Sequence, residues 1–440
     1  MQESEPLAAK GNLLIYRSLT SRPTSPFPPA LSTPVRMSPQ ELRASLSLAA
    51  IFGLRLFGMF VILPVFALYA EGRPGWTITL VGVALGAYGL TQAVLQIPFG
   101  YVSDRIGRKP VLYVGLAIMA AGSFVAAAFD SPAMVILGRM LQGAGAISAV
   151  AIAMAGDLTR PSQRTKAMAM IGSTIGASFA LSFILAPFLA QQIGVQGIFA
   201  MTGVMCILAM GVVAWMLPDV VDAPAARGPV DFRRVLVNPE LLRLNFGVFT
   251  LRLILMAVFV VIPPAMVKAG LAPKDHWGLY LGVVAGGFVL MLPAILGRAS
   301  TRERATFLGA IIALAASLAA LVAGQHELAG IVVALVIFFG AFNVLEAKLP
   351  ALVSRAAPEG ARGAATGVFS SVQFLGMFAG GALGGVAAQA GGPTAVIVGC
   401  IVLTAAWLAV AWKMGDPAPI SLEEEASALP AADSAPASRT

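Results

Sequence analysis

Five ionisable side chains stand where such groups are costly. Arg55, Arg139, Arg252, Glu346 and Lys348 each lie inside a long apolar run of the 440-residue chain. A charge at membrane depth faces a protein interior or an aqueous cavity, and it marks a path for a solute, an ion or a proton. Glu346 is the acid of the set. A carboxyl that is by turns buried and paired with an arginine can load and release a proton, so Glu346 is the candidate coupling site. The competing reading is a fixed ion pair that locks two helices together. Lys348 lies two positions on, about 200° around a helix, so the expected counter-charge of Glu346 is Arg139 or Arg55. Three arginines favour an anionic or carbonyl-bearing solute over a cation. Gln92, Gln96, Asn343 and Gln373 are candidates to hydrogen-bond that solute or a neighbouring helix, and Gln142 is a further candidate for the cavity.

The composition says what kind of body holds these charges. Hydrophobic residues make up 58% of the chain and charged residues 11%, against roughly 25% charged in a soluble domain. Mean hydropathy is +0.85. A soluble enzyme, a nucleic-acid module and a disordered protein are excluded. Two cysteines and two histidines leave no disulfide framework or metal centre to expect, and no Walker A sequence is present, so no cofactor is expected. Gly143 and Gly145 lack the third glycine of a dinucleotide fingerprint, Ser148 standing in its place.

Apolar runs long enough to span a bilayer as helices occur at 45–70, 78–102, 110–129, 132–155, 167–190, 196–217, 242–267, 277–297, 305–323, 328–354, 363–389 and 393–413. They are continuous rather than alternating, which excludes a β-barrel. The expected fold is an all-α membrane protein of twelve transmembrane helices in two six-helix halves. Residues 45–217 and 242–413 form the halves, and 218–241 is a polar linker. The charged spans are 1, 4, 7 and 10. That period implies four repeats of three helices, the first of each lining a shared polar cavity. At 1.5 Å per residue, Arg55 and Arg252 lie about 15 Å and Glu346 about 12 Å from the same membrane face; Arg139 lies about 10 Å from the other.

Residues 1–44 are rich in proline, serine and threonine and read as disordered. Met37 is followed by Ser38-Pro39-Gln40-Glu41, a helix-starting capping box. Met37 as the true start, or a dispensable tail before it, are both open. The acidic, alanine-rich segment 414–440 reads as a solvated end. The net charge of +8 is resolved by its distribution. Fifteen lysines and arginines fall in the short loops of one face and three in those of the other. Basic loops stay cytoplasmic, so both termini are expected in the cytoplasm.

Between spans 2 and 3 runs Gly100-Tyr101-Val102-Ser103-Asp104-Arg105-Ile106-Gly107-Arg108-Lys109. It resembles motif A of the major facilitator superfamily, G-x-x-x-D-R-x-G-R-[RK], at every fixed position. Arg139-Met140-Leu141-Gln142-Gly143-Ala144-Gly145-Ala146 in span 4 is similar to that family's motif B. The resemblance implies a rocker-switch transporter whose cavity is lined by spans 1, 4, 7 and 10. It also implies a latch that shuts the cytoplasmic side in the outward-open state, in which Asp104 docks at the N-terminus of span 11 and Arg108 pairs with Asp157. The loop between spans 8 and 9, the pseudo-repeat of motif A, lacks the aspartate, so a one-sided latch is expected. The glycine-rich span 5 signature of drug antiporters survives here only as Pro187, which weakens that label. Gly376, Gly380, Gly381, Gly384 and Gly385 of span 11 read as a close-packing face.

The expected function is secondary active transport of a small organic solute, drug-like or anionic, by proton-coupled efflux. Proton-coupled uptake is the alternative, and a non-transporting receptor or scaffold is a further one. The expected partners are the solute, protons and the lipid bilayer, with no nucleic acid, and the chain is expected as a monomer. Single cysteines introduced in 157–166 and 227–240 should label only from the cytoplasm, and those in 270–275 from outside intact cells. Labelling of 270–275 only after lysis would overturn the orientation.

Overall fold

The computed structural model describes residues 37–218, 232–296, 303–358 and 361–415. Residues 1–36 and 416–440 of the expected tails, Arg227, Asp231 and the loop 297–302 lie outside the described residues; residues 39–44, expected as disordered tail, are helical instead, because the Ser38–Glu41 capping box starts the first helix there. The helices are α1 (Pro39–Phe60), α2 (Leu63–Ala70), α3 (Ile78–Ile106), α4 (Arg108–Ala128), α5 (Pro132–Ala144), α6 (Ser148–Asp157) and α7 (Arg164–Met216). They continue with α8 (Phe232–Leu236), α9 (Pro239–Lys268), α10 (His276–Leu296), α11 (Glu303–Gly324), α12 (Leu328–Ala356) and α13 (Arg362–Trp412). Among the described residues, ten helices or helix pairs are long and apolar enough to cross a membrane. Two of those are far too long for one crossing. At 53 and 51 residues, α7 and α13 would each run to about 80 Å, against a hydrocarbon core of about 30 Å. Each is interrupted by glycine in a conformation other residues rarely adopt: Gly194 at φ 67° and Gly392 at φ 70°. These breaks fall where the apolar runs predict a boundary, and division there gives twelve segments.

The first helix begins as its sequence predicts. The Glu41 amide donates to Ser38 Oγ at 3.2 Å and the Ser38 amide to Glu41 Oε2 at 2.8 Å. Span 4 departs from the expected continuous helix. It breaks between α5 and α6, where Gly145 leaves the helical region (ψ 53°). A side chain at Gly143 would overlap the Tyr88 carbonyl of α3, and one at Gly145 the Gly115 carbonyl of α4. The motif B glycines let three helices touch through their backbones, and the bend follows from that contact.

Helix α13 is the other close-packing element, and it packs on two sides. Gly376, Gly380 and Gly384 lie against Phe249, Leu253 and Ala257 of α9, while Gly381 and Gly385 lie against Gly82 and Ile78 of α3. The α3–α13 seam is closed from Thr79, whose hydroxyl donates to Gln389 Oε1 at 2.6 Å, to Gly89 beside Phe374. Beyond that point the helices part: a Cβ at Gly363 or Gly367 would meet nothing within 4 Å. Helices α7 and α10 repeat the pattern. Gln191 Nε2 donates to the Lys274 carbonyl at 3.2 Å, and Phe183 meets Tyr280 edge-on at 5.8 Å. Towards the other end, Gly172 and Gly176 face open space. The bundle is therefore drawn together at the end carrying Glu71–Thr77 and parted at the end carrying motif A.

A larger residue in the closed seam should disfavour this arrangement. Gly82→Val puts a side chain into Gly381 and should cost about 1–3 kcal/mol. It is expected to raise the thiol-labelling rate of a cysteine introduced at Ala388, which is 7% exposed. Gly367→Ala should leave that rate unchanged.

Candidate functional site

Arg252 and Glu346 form an ion pair between α9 and α12. This corrects the expected counter-charge: the partner of Glu346 is neither Arg139 nor Arg55. Helices α9 and α12 are neighbours, and the two residues sit at nearly the same depth from the motif A end, so the nearest cation is in the same half of the chain. The arginine side chain is 7% exposed and the carboxylate 32%. The pair is thus open on the acid's side. Arg252 also lies over the Phe342 ring at 5.8 Å, and its Nε is buried without a partner. Phe342 stacks on Phe179 of α7 at 5.8 Å with 16° between ring planes. Phe183, Phe259, Tyr280 and Phe339 extend this contact into an aromatic plug joining α7 to α9, α10 and α12. Such geometry is worth about 0.5–1.5 kcal/mol per pair beyond burial. The plug escaped notice in the sequence, although its signal was present: phenylalanines at 179 and 183, and at 338, 339 and 342, share helical faces. Asn343 and Gln373 are half-buried and make no hydrogen bond among the described residues, so they are available to a solute.

The other two arginines are held differently. Arg55 is 1% exposed and donates to Ser148 Oγ, to the Tyr88 hydroxyl at 2.6 Å and to Gln92 Oε1. Gln92 passes the chain to Gln96 at 2.9 Å. Arg139, also 1% exposed, donates to Gln142 Oε1 at 2.8 Å and to the carbonyls of Ala84 and Leu85. Gln142 donates in turn to Ser123 Oγ at 2.8 Å. Both guanidinium groups lie over Tyr88, at 5.8 and 5.3 Å. Arg55, Arg139 and Gln142 are therefore brought together inside α1, α3, α4, α5 and α6, buried, with neutral acceptors and no carboxylate among their described contacts. Gln92 thus serves the neighbouring helix α1, and Gln96 supports Gln92 from within α3.

At the motif A end, Gly107 holds φ 95° between α3 and α4, a turn that explains the glycine. Gly100 has only ordinary contact beside it, the nearest atom being Ala149 Cβ at 3.8 Å. Arg108 is the hub: it pairs with Asp104 at 2.5 Å and Asp157 at 3.1 Å, and donates to Ser103 Oγ. The Arg108–Asp157 contact is the one the resemblance implies. Asp104 is not docked on α13 in this arrangement, in which the motif A end is parted. It is 51% exposed and bound by Arg108, because the first turns of α13 stand away at this parted end. Arg105 lies over Tyr101 at 4.4 Å on the surface, and Lys109 is half-buried. Glu41 ties α1 to this end through Arg160, whose Nε donates at 2.8 Å.

The pseudo-repeat of motif A is not bare. Glu303 opens α11 and accepts from Arg355 near the end of α12 at 3.0 Å. In the N-terminal half the cation opens α4 and the acid closes α6; here the acid opens α11 and the cation closes α12. The same pair of helices is tied with the charges exchanged, so a search for the missing aspartate overlooks it.

A bundle of membrane-length helices, broken at glycines and holding a buried arginine paired with a partly exposed acid within its C-terminal half, has the build of a membrane transporter. The chain belongs to the Major Facilitator Superfamily, whose family model matches residues 48–345 and 246–437. It is 40% identical over 392 residues to the inner membrane transport protein YajR of Escherichia coli, covering 88% of this chain and 86% of that one. It is 30% identical over 179 residues to the multidrug resistance protein MdtH of Yersinia enterocolitica, 39% of this chain and 44% of that one. Among solved structures, the human organic anion transporter MFSD10 matches with a TM-score of 0.64 at 17% identity, over 85% of this chain and 100% of that one.

The exchanged pair predicts a charge-swap rescue. Glu303→Arg sets two cations against each other and should lower the stability of the purified protein by roughly 1 kcal/mol. Glu303→Arg combined with Arg355→Glu should recover most of the unfolding temperature; an additive loss would show that the pair carries no coupling.

Proposed function

We propose that the chain couples the movement of a small organic anion to protons, with Glu346 as the proton site and Arg252 as the anchor for the anion. The observation that carries this reading is the Arg252–Glu346 pair: a partly exposed acid and a buried arginine, set against the ring of Phe342. When Glu346 is ionised it occupies Arg252 and holds the guanidinium over Phe342, whose ring stacks on Phe179 across the plug. A proton on Glu346 ends that pairing. A carboxylate or phosphate of the solute then takes the arginine, with Asn343 and Gln373 to hydrogen-bond its body. Replacing one partner of Arg252 by another changes what holds Phe342, and so shifts the balance between bundle ends.

The sign of coupling follows. An anion gains Arg252 only when Glu346 is protonated, so proton and anion bind together and travel the same way. Across a bacterial inner membrane with both termini cytoplasmic, that is uptake. The likeness to MdtH, a multidrug resistance protein, favours the second reading, proton-driven efflux, in which the solute avoids Arg252 and binds while Glu346 is ionised. The name of MFSD10 supports an organic anion as the solute class. The bilayer and a monomeric chain complete the proposal.

Proteoliposomes decide between these readings. With the wild-type protein and a panel of labelled carboxylates, an acidic exterior should drive accumulation inside; accumulation driven by an acidic interior instead would favour proton-driven exchange. Glu346→Gln should insert, bind and exchange the anion, yet no longer concentrate it under a pH gradient. Wild-type accumulation by that variant would remove Glu346 from coupling. Loss of folded protein in Glu346→Gln, with Glu346→Asp folded but inert to the gradient, would support the fixed ion pair instead.

A further inference from the structure

At the closed end of the bundle, opposite motif A, lies a cleft of about 560 Å³, within the range of small-molecule sites. One wall comes from the end of α2, the following turn and the start of α3; the other comes from the ends of α9 and α13's first segment with the turn before α12. Its lining is largely apolar and includes Trp76, Ile78 and Pro264. Two opposite charges line it, Glu71 on the first wall and Lys268 on the second, and His326 lies in the turn before α12. None of the three makes an ion pair or side-chain hydrogen bond among the described residues.

That lack of partners is a product of how the first wall is built. Asp130 gathers the other polar groups of the turn. It accepts from the Tyr69 hydroxyl, from Arg73 at 3.3 Å and from Gln196 at 2.7 Å, and its carbonyl accepts from Trp76 Nε1 at 3.1 Å. Gly72 and Gly75, at φ 74° and 79°, let the turn fold tightly enough to reach it. The cation nearest to Glu71 in sequence, Arg73, is therefore spent on Asp130, and the Trp76 indole is fixed as a side of the cleft. On the second wall, Gln325 Nε2 donates to Thr394 Oγ1 at 3.0 Å. A site whose walls are already held pays less to bind.

We propose that this cleft binds a small zwitterion with an apolar body, its ammonium on Glu71, its carboxylate on Lys268 and its chain along Trp76, Ile78 and Pro264. Such a ligand bridges the α2–α3 wall and the α9 wall just outside the closed α3–α13 seam. It therefore favours the arrangement in which this end is shut. The proposal is independent of Glu346 and Arg252, which lie deeper in the bundle.

The test uses the full chain purified in detergent and three probes: ε-aminocaproate, which carries both charges; caproate, the acid alone; and hexylamine, the amine alone. Aminocaproate should change tryptophan emission saturably, and Trp76→Phe should abolish the change. Loss of one charge-assisted contact weakens binding by roughly tenfold or more. Glu71→Gln should do so for aminocaproate and hexylamine but not caproate; Lys268→Gln should do so for aminocaproate and caproate but not hexylamine. Both residues are exposed, and thermal unfolding of each variant checks that it is folded. Glu71→Lys combined with Lys268→Glu should restore aminocaproate binding. No saturable change at millimolar probe, or an equal loss for all three probes in either variant, would overturn the site.

Discussion

A charged group inside an apolar bundle must find its partners within the protein, since neither lipid nor packed side chains can solvate it. The two halves of this chain meet that requirement in opposite ways. The C-terminal half gives Arg252 an acid, and leaves the acid a third exposed. The N-terminal half gives Arg55 and Arg139 a tyrosine ring, glutamines, a serine and two main-chain carbonyls, all neutral and all buried. The two halves therefore differ in whether a buried arginine has an acid within reach or only uncharged acceptors.

Switching needs helices that slide or part without losing their packing, and the glycines supply the surfaces. On α13 one glycine face meets α9 within the C-terminal half, and another meets α3 across the seam. Backbone contact of this kind has little side-chain interdigitation to undo. The charged ties at the motif A end run within each half: Arg108 to Asp157, Glu303 to Arg355, Glu41 to Arg160. They hold neighbouring helices together where the seam itself has parted. Asp104 pairs with Arg108 and is half-exposed.

Much of the bundle was legible in the residues. Twenty-residue apolar runs fix helix positions because a buried backbone has no other way to satisfy its hydrogen bonds in lipid. The predicted boundaries at 190–196 and 389–393 fall on the glycine breaks of α7 and α13. Ser38 and Glu41 cap α1 because capping is local. The Arg108–Asp157 tie and the packing role of the α13 glycines were also expected, the first from family resemblance and the second from spacing.

What tertiary structure alone decided concerns which side chains meet. One-dimensional spacing gives depth along a helix but not rotation between helices, so Arg252 and Glu346 shared a depth in the sequence without being recognisable as a pair. The bend of span 4 depends on Tyr88 and Gly115, which come from other helices. The aromatic plug depends on rings from four helices converging, and the Glu303–Arg355 tie on an exchange of charge that no motif records. The sequence determined what must be buried, because hydropathy and hydrogen bonding are properties of each segment; the fold determined against what, because contact between segments is a property of their arrangement.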